Sequence, residues 1–229
     1  MENTHTNTGR LGTRLFVSIL VGIGLLMAIF FLPAGTWAYW QAWVYMLLLA
    51  IPGFIGSFLL VRKDPALVQR RMTRGESRTE QKKIQYLSYP FYILAFLLPG
   101  FDRRFGWSHT PWVVVAAADA LFLLGILLIF WVMNENSYAS RTIGVEAGQK
   151  VISSGPYAHV RHPMYLGLIL MFVFSPLALG SWVAVISALF IIPFVVARML
   201  DEEKVLIKEL NGYQDYLQRV KYRLIPGLW

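Results

Sequence analysis

The sequence predicts an all-α protein that crosses a membrane as a polytopic helical bundle of about six spans, with both termini on the cytoplasmic side. Of the 229 residues, 56% are hydrophobic and only 15% are charged, a composition that is unusual for a soluble domain of this size. Several separate apolar runs approach or exceed the roughly 20 residues that a helix needs to cross a bilayer core. Basic residues are concentrated in the polar segments between these runs.

The apolar runs predict six spans within a single membrane domain, 1–229. We divide this domain into an N-terminal part, 1–133, with four spans and a basic loop, and a C-terminal part, 134–229. The polar N-terminus precedes a run that is too long for a signal-peptide core, so we expect it to be a retained anchor. The predicted spans are Leu15–Leu32, Ala42–Val61, Tyr86–Gly100, Trp112–Met133, Tyr165–Leu179 and Trp182–Leu200.

The loop 62–83 predicts the orientation of the chain. It contains eight basic and three acidic residues, and loops rich in Lys and Arg remain on the cytoplasmic side. Counting spans from this loop places the N-terminus, the segment 134–161 and the tail after Leu200 on that side too. Five tryptophans lie near the opposite span ends, where an interfacial aromatic belt is expected: Trp37, Trp40, Trp43, Trp107 and Trp112.

Charge and cysteine content exclude several classes of function. The net charge of +8 is explained by cytoplasmic loops beside anionic lipid, so we expect membrane lipids and no nucleic acid as partners. The chain has no cysteine, which excludes disulfides, thiolate nucleophiles and Cys-based metal sites. We predict no metal site.

The first polar segment with chemical potential surrounds the start of the fifth span. Pro163 suits the first helical position, and we expect the backbone N–H groups before it to be free to bind an anion. Arg161 and His162 then lie at this entrance, with Tyr165 in the first turn. Gly167 allows a ligand or a neighbouring helix to approach the backbone. The alternative is that Arg161 and His162 are ordinary interfacial anchors.

The second polar segment begins at the end of the sixth span. Arg198 and Glu202 are four residues apart, so they share a helix face and can pair there while Glu203 points elsewhere. Tyr213 and Tyr216 share a helical face further along the tail. The alternative interpretations are a solvated helix end and tail aromatics that dock on the membrane surface.

These segments contain four sequence motifs. Together they resemble the isoprenylcysteine carboxyl methyltransferase family, which includes phospholipid methyltransferase relatives. The resemblance covers the chain from about residue 136 to the C-terminus, where Asn136, Gln149 and Val151 fit its less specific positions. The motifs are Arg161-His162-Pro163-x-Tyr165-x-Gly167, Arg198-x-x-x-Glu202-Glu203, Gly212-Tyr213-x-x-Tyr216 and Arg223-Leu224-Ile225-Pro226-Gly227.

The resemblance implies a methyltransferase that uses S-adenosylmethionine. In that family the C-terminal half forms the cofactor pocket, the tail closes over it, and a lipid-like substrate enters from the bilayer. By resemblance Arg198 and Glu202 are catalytic and lie near the transferred methyl. The cofactor-binding positions that it implies are Tyr157, Arg161, His162, Tyr165 and Glu203, together with Asn136, Gln149, Val151, Pro163, Gly167 and Tyr213.

The residue types suit this chemistry. Methyl transfer is an in-line displacement, which a pocket assists by aligning the reactants and excluding water. The ring faces of Tyr157 and Tyr165 can hold a sulfonium cation. Glu203 can bind the amino group or ribose of the cofactor, and Arg161 or His162 its carboxylate.

The sequence does not identify the chemical group that accepts the methyl. Arg198 can orient a carboxylate acceptor, whereas Glu202 or His162 can accept a proton from an amine or a thiol. The chain has no Gly-x-Gly-x-x-Gly after a strand, so no soluble-type methyltransferase domain is expected.

Two rival functions remain open. Sterol reductases resemble the family in their C-terminal spans and use NADPH, but the segment 198–229 has six basic and five acidic residues, a poor balance for binding an extra phosphate. A transporter or scaffold would use the basic loop and Asp119. Transporters usually show repeats or broken helices in both halves, whereas the polar residues here are concentrated in one half.

Overall fold

The computed structural model describes residues 2–72, 76, 78–140 and 142–229, with side chains described from residue 12 onward. All regular structure in these residues is helical. A short 3₁₀ helix, Gly155–Ala158, lies in the long connection between the fifth and sixth α-helices. The α-helices in chain order are α1 Glu2–Ala34, α2 Trp40–Lys63, α3 Pro65–Met72, α4 Thr79–Phe105, α5 Trp112–Glu135, α6 Pro163–Ala178, α7 Val183–Leu189, α8 Ile191–Glu209 and α9 Tyr213–Arg219.

The spans confirm the predicted class, a polytopic helical membrane bundle. Within the described chain, α1, α2, α4, α5 and the continuous stretch Val183–Glu209 are long and apolar enough to cross a membrane. The predicted fifth span corresponds to α6, which has only 16 residues. At a rise of about 1.5 Å per residue it measures roughly 24 Å, a little short of the hydrocarbon core.

Hydrogen bonds define two ends of the bundle. At one end, which we call the basic-loop end, the Lys63 ammonium donates to the Asn134 carbonyl at 2.9 Å. At the other, the far end, the Tyr39 hydroxyl donates to the Leu179 carbonyl at 2.5 Å and the Ser181 hydroxyl to Asp102 at 2.5 Å. The spans therefore alternate in direction between the two ends, as the loop pattern predicted.

The core between α1, α2, α5 and α6 depends on aromatic packing and close helix contact. The Tyr45 ring stacks on Phe122 with 4.3 Å between the centroids. At the crossing of α5 and α6, Gly125 and Gly167 face each other. A Cβ on Gly167 would lie 2.8 Å from the Ile129 side chain and 2.9 Å from the Gly125 carbonyl, so only glycine permits this approach.

Helix packing accounts for Gly167, and its cofactor-binding role stays a prediction. The sequence left a ligand and a helix as alternatives, and the structure places helix α5 against its backbone.

Two parts of the chain differ from the predicted boundaries. The basic loop contains an additional short helix, α3. The predicted sixth span corresponds to α7 and α8, which are separated only by Phe190 with near-helical backbone angles, and α8 continues beyond Leu200 to Glu209. This extension is decisive for the site, because it places Arg198, Glu202 and Glu203 on one rigid helix that leaves the apolar layer.

Candidate functional site

A cavity of about 430 Å³ opens at the basic-loop end, within the size range of small-molecule sites. Its walls come from α4, the connection between α5 and α6, and the helices α6, α8 and α9. Three predicted site residues, Pro163, Gly167 and Glu203, do not line it. The other ten do: Asn136, Gln149, Val151, Tyr157, Arg161, His162, Tyr165, Arg198, Glu202 and Tyr213.

Glu203 lies behind this wall in a buried ionic cluster. One carboxylate oxygen lies 3.1 Å from an Arg161 guanidinium nitrogen and 3.1 Å from the His162 Nε2 atom. The other oxygen accepts two hydrogen bonds from Arg223, at 3.1 and 2.9 Å. A buried charge of this kind is costly unless it is paired, and here the pairing joins α8 to the start of α6 and to the tail.

The arrangement differs from the role expected for Glu203. Both of its oxygens are occupied by side chains of the protein. The carboxylate therefore contacts Arg161 and His162, which do line the cavity.

The start of α6 also differs from expectation. Pro163 occupies the first helical position as predicted, but the amides before it are not free for an anion. The Arg161 N–H donates to the Tyr222 carbonyl and the His162 N–H to the Arg223 carbonyl, both at 2.9 Å. The tail takes up these donors because it runs alongside the helix start.

The wall formed by α8 contains the two predicted catalytic residues, but they do not pair with each other. Glu202 accepts a hydrogen bond from the Tyr165 hydroxyl at 2.5 Å. The Arg198 guanidinium donates to the Gln81 side-chain oxygen at 2.8 Å and lies 3.6 Å from the Glu76 carboxylate. The acid that pairs with Arg198 among the described residues is therefore Glu76, which is distant in sequence.

Tyrosines form the opposite wall. The Asn136 amide donates to the Tyr157 hydroxyl at 2.9 Å, and the Tyr216 hydroxyl donates to the Tyr157 carbonyl at 2.8 Å. Burial raises the pKa of Tyr157 to about 12 and raises the pKa of Tyr213 further above its usual value. Both phenols are therefore neutral hydrogen-bond donors at physiological pH.

Two buried polar atoms in the cavity wall have no protein partner among the described residues. They are the Tyr213 hydroxyl and the Arg161 Nε atom. Buried donors are nearly always satisfied in folded proteins. The residues of both atoms line the cavity, so a polar ligand that shifts either side chain can satisfy the buried atom.

The sequence analysis missed the contribution of α4. Five residues of this helix recur at helical spacing along one face and line the cavity, and the predicted third span began too late to include the first two. These residues are Ile84, Gln85, Ser88, Tyr89 and Tyr92. The available signal was the repetition of polar and aromatic residues on one side of an otherwise apolar run.

Arg71 from the basic loop was also missed. It lines the cavity and donates to the Ala139 carbonyl at 2.8 Å.

The cavity changes in character along its length. Residues of the polar connection, including Asn136 and Gln149, lie at one part, whereas Leu168, Phe172 and Phe194 line the part between the spans. A single cavity therefore connects a polar compartment with an apolar one.

Comparison with known proteins places the same region in context. Residues 113–212 match the family model described as phospholipid methyltransferase. The match supports a membrane methyltransferase superfamily. It covers α5, the cavity-forming connection, α6 and α8, and so includes every predicted site residue except Tyr213. Residues 1–112 lie outside the matched region.

A second similarity is to a reductase. A segment of 91 residues is 36% identical to the delta(14)-sterol reductase of Mus musculus. The segment makes up 38% of this chain, and it spans only 22% of the reductase.

Proposed function

We propose that this chain is an integral membrane methyltransferase that uses S-adenosylmethionine to methylate a lipid-like or small hydrophobic acceptor. One observation carries the proposal: a single cavity joins a polar, tyrosine-lined compartment to an apolar compartment between the spans. A water-soluble donor and an apolar acceptor can meet in such a cavity. The family match over the same residues supports it.

The polar compartment suits the donor. Bound S-adenosylmethionine would supply a methyl group activated by a sulfonium cation. The ring faces of Tyr157 and Tyr165 suit a cation. The Tyr213 hydroxyl and the Arg161 Nε atom, unpartnered within the described chain, suit the polar groups of an amino acid and a nucleoside.

The acceptor side is formed by Glu202, Tyr165 and Arg198. Tyr165 donates to Glu202 and so fixes the orientation of the carboxylate at the cavity surface. Glu202 accepts the proton of an amine or thiol acceptor, or Arg198 orients a carboxylate acceptor. Glu203 acts indirectly by positioning Arg161 and His162.

The tail excludes water from the site. Tyr216 bonds the Tyr157 carbonyl and Arg223 bonds Glu203, which holds the tail across the polar compartment. Displacement at a methyl group requires alignment of the reactants rather than a covalent intermediate, so exclusion of water and fixed orientation are the main contributions of the protein.

The proposed orientation places the cavity on the cytoplasmic side. The Lys- and Arg-rich loop 62–83 lies at the same end of the bundle as the cavity, and such loops stay in the cytoplasm. The apolar compartment would then lie within the inner leaflet, from which the acceptor enters.

A second candidate is an NADPH-dependent sterol-type reductase, favoured by the similarity to the mouse enzyme. Arg161 and Arg198 are already paired with Glu203 and Glu76, but Arg71 and Lys150 also line the cavity, and a dinucleotide phosphate requires such cations. The charges of the cavity therefore do not separate the two functions, and ligand binding has to.

Calorimetric titration of the detergent-purified protein separates these functions. S-adenosylhomocysteine and NADPH are titrated in parallel, with NADH as the control for a phosphate-dependent signal. Binding of S-adenosylhomocysteine alone supports methyl transfer. Binding of NADPH alone assigns the reductase function, and binding of neither leaves a transporter or scaffold.

Labelling identifies the acceptor class. Membranes with and without the protein are incubated with methyl-labelled S-adenosylmethionine, and the lipid extract is analysed by mass spectrometry. A labelled lipid or hydrophobic small molecule that depends on the protein is the expected result. Label confined to water-soluble products would contradict a lipid-like acceptor.

A further inference from the structure

Glu76 is a buried acid within a strongly basic loop. Its side chain is only 2% exposed, although it lies among the arginines and lysines of residues 62–83 rather than in a span. A charged side chain is rarely buried to this degree unless its charge is compensated. The partners of Glu76 therefore show what it does.

The Glu76 carboxylate contacts two walls of the cavity. One oxygen accepts the backbone N–H of Ile143 at 3.2 Å and lies 3.6 Å from the Arg198 guanidinium. Ile143 belongs to the connection between α5 and α6, and Arg198 belongs to α8; both line the cavity. One carboxylate thus joins the basic loop to two otherwise separate walls.

Gln81 completes the set of contacts around Arg198. Its side-chain oxygen accepts from Arg198 at 2.8 Å, and its side-chain nitrogen donates to Asp201. Asp201 also pairs with Arg78 at 3.3 Å. Gln81 is completely buried, so its amide is held in one orientation and presents an acceptor to the arginine.

We propose that Glu76 is a positioning residue of the methyl-transfer site, which fixes Arg198 in the cavity wall and compensates its charge. The assignment rests on the proposed function. An arginine side chain loses considerable conformational entropy when it is ordered. Glu76 and Gln81 hold the guanidinium in place before the methyl acceptor binds. This entropy is therefore not lost during the reaction.

The contacts distinguish this role from a purely structural one. The bond to Ile143 requires only an oxygen, whereas the pairing with Arg198 requires the negative charge. Glu76→Gln keeps an oxygen for the Ile143 N–H and loses the charge that pairs with Arg198. Its amide nitrogen also replaces the oxygen that accepts the Arg78 backbone N–H at 3.3 Å. Glu76→Ala loses all three contacts. The matched control is Glu80→Gln, since Glu80 is exposed and pairs with Lys83 on the surface of α4.

The test measures three quantities on full-length protein in detergent. They are the S-adenosylhomocysteine Kd, the kcat and KM for the acceptor that the wild-type protein labels, and the hydrogen exchange of residues 142–145. We expect Glu76→Gln to lower kcat about tenfold with a Kd within about twofold of the wild type and unchanged exchange. Glu76→Ala should lower kcat as much and also accelerate exchange.

The outcomes separate the two levels of the proposal. Wild-type kcat in Glu76→Gln, or unchanged exchange in Glu76→Ala, overturns the role of Glu76 and leaves the methyltransferase function standing. A wild-type protein that neither binds S-adenosylhomocysteine nor transfers methyl overturns the proposed function, and the role of Glu76 with it. A kcat loss equal in Glu80→Gln would show a general charge effect and also overturn it.

Discussion

Glu202 and Glu203 are neighbours on α8, yet they lie in opposite environments. Glu203 is buried, and its two oxygens are used by Arg161, His162 and Arg223. Glu202 lines the cavity and accepts a hydrogen bond from the neutral Tyr165 hydroxyl. No ion pair to Glu202 is formed by the part of the chain that the structure describes.

The difference separates stabilisation from chemistry within one helical turn. A carboxylate whose hydrogen-bonding capacity is filled by protein groups fixes the positions of those groups and has none left for a ligand. A carboxylate with remaining capacity at a cavity surface can accept a proton from a ligand. Under the proposed function, the face of α8 with Glu203 holds the site together, and the face with Glu202 is available for reaction.

Glu203→Ala should have the largest effect, on stability. Removal of the carboxylate leaves two arginines without their buried partner, and the loss of one partner of such a cluster costs about 3–5 kcal/mol. We expect a lower unfolding temperature by tryptophan fluorescence, or loss of folded protein. The control is Glu209→Ala, at an exposed position at the end of α8. Equal stability of both variants would show that the face of α8 with Glu203 contributes nothing.

Glu202→Gln should affect turnover and spare the fold. Loss of a general base typically slows a reaction at least about a hundredfold, while glutamine still accepts the hydrogen bond from Tyr165. We therefore expect a large fall in kcat for an amine or thiol acceptor, with the unfolding temperature of the wild type. A turnover near the wild-type value would contradict a base at this position and favour a carboxylate acceptor oriented by Arg198.

Gly167→Ala tests whether Gly167, a residue of the first sequence motif, serves helix packing or cofactor binding. The new Cβ would lie 2.8 Å from the Ile129 side chain, and overpacking of this kind costs about 1–3 kcal/mol. We expect lower thermal stability and unchanged S-adenosylhomocysteine affinity in the folded fraction. Gly24→Ala in α1 is the control, because its Cβ would meet no atom within 4 Å. Full stability with lost affinity would assign Gly167 to the cofactor site.

The spans were predictable because each is a local run of apolar residues with a length set by the bilayer. The polar helices α3 and α9 and the extension of α8 to Glu209 were harder to place. They lie outside the apolar layer, so no span-length run marks their ends. The local signals at these ends are single residues, since Pro65 begins α3 and Gly212, with a positive φ, separates α8 from α9.

Partners were harder to predict than positions. Spacing alone brought Arg198 and Glu202 to one helix face, but the observed partner of Arg198 is Glu76, more than a hundred residues away. Spacing within a helix shows which groups can meet, and competition from the rest of the fold decides which do. The prediction of free amides before Pro163 was wrong for the same reason, since carbonyls of the tail accept hydrogen bonds from these amides.

Tyr213→Phe should have the smallest effect and the most specific one. The Tyr213 hydroxyl is buried, and the described residues offer it no hydrogen-bond partner. Its removal should leave the unfolding temperature unchanged or slightly raised, because an unsatisfied polar group is lost. If the cofactor satisfies that hydroxyl, the S-adenosylhomocysteine Kd should rise about fivefold, near 1 kcal/mol.

Tyr216→Phe is the matched opposite. Its hydroxyl donates to the Tyr157 carbonyl at 2.8 Å, so its loss should lower stability by about 1 kcal/mol with a smaller change in affinity. Calorimetry and thermal unfolding of the two variants side by side decide the matter. If both variants lose stability and neither loses affinity, the Tyr213 hydroxyl stabilises the fold, as Glu203 does, and does not bind the cofactor. Other cavity residues must then form the hydrogen bonds to the cofactor.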